Sequence, residues 1–122
     1  MKGHNQRIGK WGEQTAAEYL ISRGYQILAV NHRTPFGELD LVTLEGGMLV
    51  FIEVKTRTSG ALGYPEGSVT PTKQAHITNA ALYYMANTDR SEVDWRVDVV
   101  AITGEPHGGV KDIQVFQNAL QA

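Results

Sequence analysis

Apolar residues recur at helical spacing near the start of the chain, which predicts a first helix. This apolar stripe consists of Ile8, Trp11, Ala16, Tyr19 and Leu20. We expect Asn5 to cap the start of the helix and Gly24 to follow its end in the left-handed conformation. Aliphatic residues then alternate over residues 25–31, which predicts a strand, and the turn-forming residues 34–37 end it.

The next pattern predicts a β-hairpin. Residues 38–44 and 48–57 read as strands, and between them Gly46-Gly47 supplies the positive φ angles that a tight hairpin turn requires. A turn of this kind pairs Glu45 with Met48. The same register places Asp40 opposite Glu53 and Glu38 opposite Lys55.

The second half of the chain continues with a loop, a helix and two strands. Four glycine and proline residues in the segment 59–68 predict an irregular loop. Thr70 is the expected cap of a helix with Pro71 at its first position and its end near Asn87. Strands are predicted over residues 95–102 and 110–117, so that the order is αβββαββ.

Composition narrows the class of protein. With 122 residues, 42% of them hydrophobic, the chain fits a single domain spanning residues 1–122. It has no cysteine, which excludes disulfide scaffolds, thiolate zinc sites and cysteine nucleophiles. The longest apolar run, residues 48–52, is too short to cross a membrane, and the polar start does not read as a signal peptide. We therefore expect a cytoplasmic protein with no membrane partner.

Charge alone leaves the class of partner open. The formal net charge is −2, so the basic excess that usually marks nucleic-acid binding is absent. The distribution is uneven: residues 1–12 carry three basic and no acidic side chains, whereas residues 89–122 carry six acidic and three basic ones. A positive face built from the first half of the chain and ordinary solvated charge explain this distribution equally well.

The predicted hairpin brings charged side chains together. Residues directly opposite each other have Cβ atoms about 5 Å apart, and two like charges there are destabilising without a cation between them. Asp40 and Glu53 form such a pair, and the period of two places Lys55 on the same face as Glu53. Two carboxylates suit Mg²⁺, which takes oxygen ligands and completes its shell with water and substrate phosphates. With Lys55 to orient the attacking water, the group suits phosphodiester hydrolysis.

A plainer interpretation of the same spacing stays open. Charged side chains are common on the solvent face of a hairpin, and a Glu-x-Lys pair is by itself a weak signal. In that case Glu38 pairs with Lys55, and Asp40 merely lies near Glu53.

Larger motifs carry a resemblance to a known family. The segments Gly37-Glu38-Leu39-Asp40 and Glu53-Val54-Lys55, with Asn31-x-Arg33 ahead of them, resemble the PD-(D/E)XK nuclease signature. Together with Gly12-Glu13, Gly63-x-Pro65 and the helix of Lys73, they resemble the YraN family of small bacterial proteins, which are predicted endonucleases. That family is similar to archaeal Holliday-junction resolvases.

The resemblance implies both a fold and a function. The implied fold is restriction-endonuclease-like α/β, with a central mixed β-sheet flanked by helices in the order αβββαββ. It implies that Asp40 and Glu53 bind Mg²⁺ or Mn²⁺, that Lys55 is the catalytic lysine and that Glu13 is a further acidic residue of the site. The implied activity is cleavage of DNA, favouring branched or recombination-intermediate DNA, by a possible homodimer.

Cations near this site are candidates for contact with nucleic-acid phosphates. Arg57 shares the face of Glu53, and Lys73 and Gln74 lie in the first turn of the second helix, whose N-terminus favours phosphate. Further candidates are Arg33, Lys10 and Arg7.

Two alternatives to a DNA endonuclease remain open on the sequence. One is a nucleic-acid-binding or interaction module that keeps the fold and carboxylates without catalysis. The other is a nuclease that acts on RNA. A pure binding module needs no metal ion, so it would still bind nucleic acid after Asp40→Asn.

Overall fold

The computed structural model describes residues 2–58 and 70–119, with side chains from residue 6 onward. The elements are α1 (Lys2–Ser22), β1 (Gln26–Thr34), β2 (Gly37–Glu45), β3 (Met48–Arg57), α2 (Pro71–Asn87), β4 (Trp95–Glu105) and β5 (Gly109–Phe116). The predicted order αβββαββ is confirmed. The predicted loop at residues 59–68 lies outside the described residues.

The strands form one mixed sheet in the order β1-β2-β3-β4-β5. Only β3 and β4 run parallel, and the chain connects them through α2, whereas the other neighbouring strands are antiparallel. A parallel pair requires such a crossover, while antiparallel neighbours need only tight turns. The central mixed sheet flanked by helices is therefore as expected for a restriction-endonuclease-like fold.

Each face of the sheet is covered by one helix. Alternation along β3 sends Leu49 and Phe51 to the α2 side and Val50 and Ile52 to the α1 side. The α2-side core also contains Leu39, Val42, Ala80, Ala81, Tyr84, Met85 and Val97. The α1-side core also contains Ala16, Leu20, Tyr25, Leu41, Val100 and Ile102. Since both faces of β3 are covered, its side chains from Leu49 to Ile52 are buried, and those from Glu53 onward are partly exposed.

Helix α1 differs from the prediction at its start. It begins at Lys2, so the prediction that Asn5 is its N-cap is wrong, because the backbone is already helical at that residue. The predicted end is confirmed: Gly24 has φ 95°, and the amide of Tyr25 donates to the Leu20 carbonyl at 3.0 Å. This is the left-handed termination for which glycine is favoured.

Helix α2 begins as predicted. The Thr70 hydroxyl accepts a hydrogen bond from the amide of Lys73 at 3.2 Å, and Pro71 occupies the first turn, where no amide is needed. The helix runs to Asn87 and packs on β2 and β1. Its first turn therefore holds Lys73 and Gln74 beside the sheet.

Neither helix of the described chain is apolar and long enough to span a lipid bilayer.

Candidate active site

The predicted hairpin register is confirmed where the two strands pair. Gly46 and Gly47 both have positive φ, and pairing runs from Glu45 opposite Met48 to Leu41 opposite Ile52. Beyond that pair the ladder between β2 and β3 ends, so Asp40 and Glu53 are not ladder partners, although their side chains meet as the register predicts.

The prediction that Glu38 lies opposite Lys55 fails for the same reason. Glu38 instead pairs with Arg33 on β1, with 3.6 Å between Glu38 Oε2 and Arg33 Nε. Lys55 instead pairs with Glu53 on its own strand, with 3.3 Å between Nζ and Oε1. The plainer interpretation, in which Glu38 pairs with Lys55, is therefore wrong as well.

Asp40 lies at the point where β2 separates from β3. Side-chain alternation breaks there, because Leu39 and Val42 pack on the α2 side while Leu41 packs on the α1 side. The Asp40 side chain reaches β3, where its Oδ2 accepts a hydrogen bond from the Val54 amide at 2.9 Å. The carboxylate thus satisfies an amide that has lost its ladder partner on β2.

Asp40 and Glu53 form a close pair of carboxyl groups despite the separation. Burial, followed by the charge of Glu53, raises the pKa of Asp40 to about 7, and a hydrogen bond between the two carboxyl groups contributes to the shift. A buried pair of like charges cannot ionise fully without a compensating cation. The pair is thus a place where a cation is stabilised.

Two lysines border this pair. The ammonium of Lys55 pairs with Glu53, and the side chains of both residues are about four-fifths buried, with exposures of 19% and 18%. Lys73 on α2 lies within hydrogen-bonding distance of Lys55, and this contact lowers the pKa of Lys73. Two adjacent cations repel each other, so an anion such as a phosphate is favoured between them.

Glu13 on α1 approaches the same site from the other side of the sheet. Burial raises its pKa, and so do the charges of Glu38 and Glu53. The amide of Asn31 on β1 is hydrogen-bonded to the Glu13 carboxylate and lowers this pKa, as does the charge of Lys10. The structure therefore brings all four residues of the predicted site, Glu13, Asp40, Glu53 and Lys55, into one electrostatic group.

Two clefts open on either side of this group, and Glu38 lines both. The larger, about 580 Å³, lies between α1 and the β1–β2 pair and contains Glu13, Asn31, Lys10 and Arg33. The smaller, about 170 Å³, lies against α2 and is lined by Gly37, Glu38, Glu53, Lys73, His76 and Ile77. A chain-like substrate could therefore cross the site from one cleft to the other.

The predicted phosphate contacts divide into two groups. Lys73 is exposed beside Lys55, half-buried Gln74 is next to it, and Arg57 ends β3 two residues after Lys55. Arg33 and Lys10 line the larger cleft. By contrast, exposed Arg7 lines a separate cavity of about 210 Å³ against the β4–β5 turn. Lys73, Arg33 and Lys10 thus border the site, Arg57 and Gln74 are near it along the chain, and Arg7 lies elsewhere.

The donor set fits a hard divalent cation. Within residues 6–58 and 70–119, no group of three or more His, Asp or Glu side chains is placed to hold a metal ion. What the site offers is the pair of Asp40 and Glu53, and Mg²⁺ commonly takes one or two protein carboxylates and completes its shell with water and phosphate. Their mutual repulsion in a buried setting is what such a cation would offset.

Comparison with known proteins identifies the family. Residues 12–102 match the profile of the uncharacterised protein family UPF0102. The chain belongs to this family. A UPF0102 protein of Thermodesulfovibrio yellowstonii is 44% identical over 113 residues, which cover 93% of this chain and 95% of that protein. A UPF0102 protein of Symbiobacterium thermophilum is 41% identical over 118 residues, which cover 97% and 99%.

Membership of UPF0102 confirms the resemblance to YraN, which is the same family. The matched segment contains Glu13, Asp40, Glu53, Lys55 and Lys73, so the whole candidate site lies inside the shared region. The family is uncharacterised, and its name assigns no activity.

Sequence reasoning gave no role to Asn31 and His76, which line the two clefts. The motif Asn31-x-Arg33 is visible in the sequence. The contact between Asn31 and Glu13 joins β1 to α1, however, so residue spacing does not predict it. One signal was available for Asn31, because asparagine is enriched at left-handed positions.

Proposed function

We propose that this protein is a metal-dependent endonuclease that hydrolyses phosphodiester bonds in DNA, with branched or recombination-intermediate DNA as the favoured substrate. The observation that carries the proposal is the buried contact of Asp40 with Glu53, bordered by the ammonium of Lys55. This combination offers ligands for a cation and a positive group for the reacting phosphate within one site.

Each residue has a distinct part in the proposed reaction. Asp40 and Glu53 would hold Mg²⁺ or Mn²⁺, and the bound ion would act as a Lewis acid on the phosphate. Lys55 orients the attacking water and stabilises the negative charge that grows on the phosphate oxygens. Glu13 assists from the opposite side, where its carboxylate faces the charge of Glu53.

The surroundings support a nucleic acid as substrate. Lys73 lies beside Lys55 on the α2 side, and Lys10 and Arg33 line the cleft on the α1 side. Cations on both sides of the carboxylates match a backbone that carries a phosphate at each step. We favour branched DNA because the family is similar to junction resolvases. Single-stranded RNA is included among the test substrates to examine the RNA alternative.

The test is cleavage of end-labelled four-way-junction, flap, single-stranded and duplex DNA, with single-stranded RNA alongside. We expect cleavage that requires Mg²⁺ or Mn²⁺ and is lost in Asp40→Asn, Glu53→Gln and Lys55→Ala. Glu13→Gln should reduce cleavage. Glu18→Gln is its matched control, because Glu18 is exposed on α1 and lines neither cleft.

Two outcomes would contradict the proposal. Cleavage that persists in Asp40→Asn would place the activity elsewhere or in a contaminant. Salt-sensitive binding without cleavage of any substrate would favour the non-catalytic binding module instead.

A further inference from the structure

Asn31 has a backbone conformation that its place in the fold does not require. Three non-glycine residues of the described chain have positive φ: Asn31 at 50°, Asp89 at 60° and Asn118 at 54°. Asp89 and Asn118 stand in turns that follow α2 and β5, where left-handed residues are common. Asn31 stands inside strand β1.

A left-handed residue inside a strand costs free energy and disturbs the ladder, so it persists where the surroundings impose it. The register of β1 and β2 places Asn31 directly opposite Asp40, between the pairs Val30–Leu41 and His32–Leu39. The register shift of β1 lies earlier, between Ile27 and Ala29, but the positive φ of Asn31 lies opposite the break in side-chain alternation at Asp40. The strained residue lies next to the carboxylate that we propose as a metal ligand.

The side chain of Asn31 connects this point to α1. Its amide is hydrogen-bonded to the Glu13 carboxylate, which lies in the same cleft together with Lys10. Burial and the charges of Glu38 and Glu53 raise the pKa of Glu13, whereas the contact with Asn31 opposes this shift. Asn31 is the hydrogen-bond donor that the structure provides.

We propose that Asn31 is a positioning residue, whose left-handed backbone aims its side-chain amide at Glu13 and so holds that carboxylate in place beside the Asp40–Glu53 pair. The proposal rests on the proposed function, in which Glu13 assists the reaction. It assigns a role to the asparagine of the Asn31-x-Arg33 motif. Asn31 acts through Glu13 and needs no contact with the substrate.

The first test is a double-mutant cycle with Asn31→Gly, which keeps the left-handed backbone and removes the amide. We expect kcat to fall about tenfold or more, since misplacing a group by about 1 Å can cost up to about 100-fold, while KM for DNA stays unchanged. In the Glu13→Ala background, which removes the acceptor, the same substitution should cause no further fall. An equal fall in both backgrounds, or none in the wild type, would overturn the proposal.

The matched control is Asn118→Gly. It removes the side-chain amide of another left-handed asparagine and keeps the backbone amide. Asn118 follows β5, which lies on the far side of β4 from the site. We expect this variant to cleave like the wild type. Reduced kcat in Asn118→Gly would show that such a change acts through general loosening of the fold, and would count against a specific role for Asn31.

The second test needs no cleavage and therefore separates this proposal from the proposed function. The carboxyl carbon of Glu13 is followed by ¹³C NMR through a pH titration of the metal-free protein. We expect Asn31→Gly to raise the pKa of Glu13, because the donor that stabilises its charged form is gone. An unchanged pKa would overturn the positioning role, whether or not the wild type cleaves DNA.

Discussion

At the scale of single residues, the site is defined by charges that do not neutralise one another. Asp40 and Glu53 are adjacent carboxyl groups, and Lys55 and Lys73 are adjacent ammonium groups. Among these four described residues, one ion pair forms, between Glu53 and Lys55. Adjacent like charges reduce stability, and perturbed groups of this kind cluster at functional sites, which supports the proposed binding of a metal ion together with a phosphate.

The first prediction concerns Asp40 and pH. Since folding raises its pKa from 3.8 to about 7, the folded protein holds the proton more tightly than the unfolded chain. The stability of the metal-free wild type should therefore fall as pH rises between these values and level off above them. Asp40→Asn has no titratable carboxyl group at this position, but its side-chain carbonyl can still accept the hydrogen bond from the Val54 amide.

Thermal or urea unfolding at several pH values measures this effect. At pH 8 we expect metal-free Asp40→Asn to exceed the wild type in stability by more than about 1 kcal/mol, and the difference should vanish near pH 4. Added Mg²⁺ should stabilise the wild type and not the variant. A wild type that gains stability between pH 4 and 7 relative to Asp40→Asn would contradict the raised pKa.

The second prediction concerns Lys73. If its ammonium contacts a phosphate beside Lys55, Lys73→Ala should weaken DNA binding for all sequences and lower the slope of log K against log salt by about 1. Filter binding or fluorescence anisotropy across a salt series measures both quantities. Lys111→Ala is the control, because Lys111 is exposed on the edge strand β5. The same loss in both variants would indicate nonspecific attraction.

At the scale of elements, a close approach of α1 to β3 delivers Glu13 to the site. Gly12 is buried, and a Cβ atom there would overlap the hydroxyl oxygen of Thr56. Thr56 neighbours Lys55 on β3, so the helix touches this strand next to the candidate site. The residue that follows Gly12 is Glu13, and its distance from the site depends on this contact.

The third prediction compares two glycines of α1. Gly12→Ala should destabilise the fold by about 1–3 kcal/mol through overpacking and reduce cleavage by moving Glu13. Gly9→Ala should instead stabilise the fold by up to about 1 kcal/mol, because alanine favours the helix more than glycine does. A Cβ atom at Gly9 would meet no atom within 4 Å outside the helix's own backbone. Chemical denaturation of both variants measures the difference. Equal effects would show that Gly12 is not a contact point.

At the scale of the whole molecule, the site and the principal buried ion pair lie apart. Asp98 on β4 is fully buried. Its carboxylate accepts hydrogen bonds from Arg96 Nε at 3.0 and 3.1 Å and from the backbone amide of Asn118 at 2.8 Å. Arg96 also reaches Glu45, at the hairpin turn where β3 begins. Asp98 is paired with Ile52, the residue before Glu53, but its side chain lies on the α1 side of the sheet, as do Arg96 and Tyr25. Glu53 instead lines the cleft against α2, so the two groups lie on opposite faces of the sheet.

The fourth prediction follows from that separation. Asp98→Ala removes the acceptor of Arg96 and of the Asn118 backbone amide, so we expect a loss of about 3–5 kcal/mol in stability. Activity per folded molecule should remain, because Asp98 lines neither cleft. Unfolding curves and cleavage at a temperature where the variant is folded measure the two effects. Loss of activity in the folded variant would show that the two faces of the sheet are coupled.

Much of the fold could be predicted from local patterns. The cap at Thr70, the stop at Gly24 and the Gly46-Gly47 turn act within a few residues, so the sequence alone indicates them. The start of α1 could not be placed in this way, because Asn5 fits the pattern of a cap and the helix nevertheless continues to Lys2.

The sequence by itself determined the elements, the hairpin register and the presence of Glu53 and Lys55 on one face, because each depends on the regular geometry of a strand or turn. Tertiary structure alone decided that β2 leaves β3 at Asp40, that Glu13 meets Asn31, and that Lys55 meets Lys73. These contacts join elements far apart in the chain, and their distances are set by how the helices pack on the two faces of the sheet.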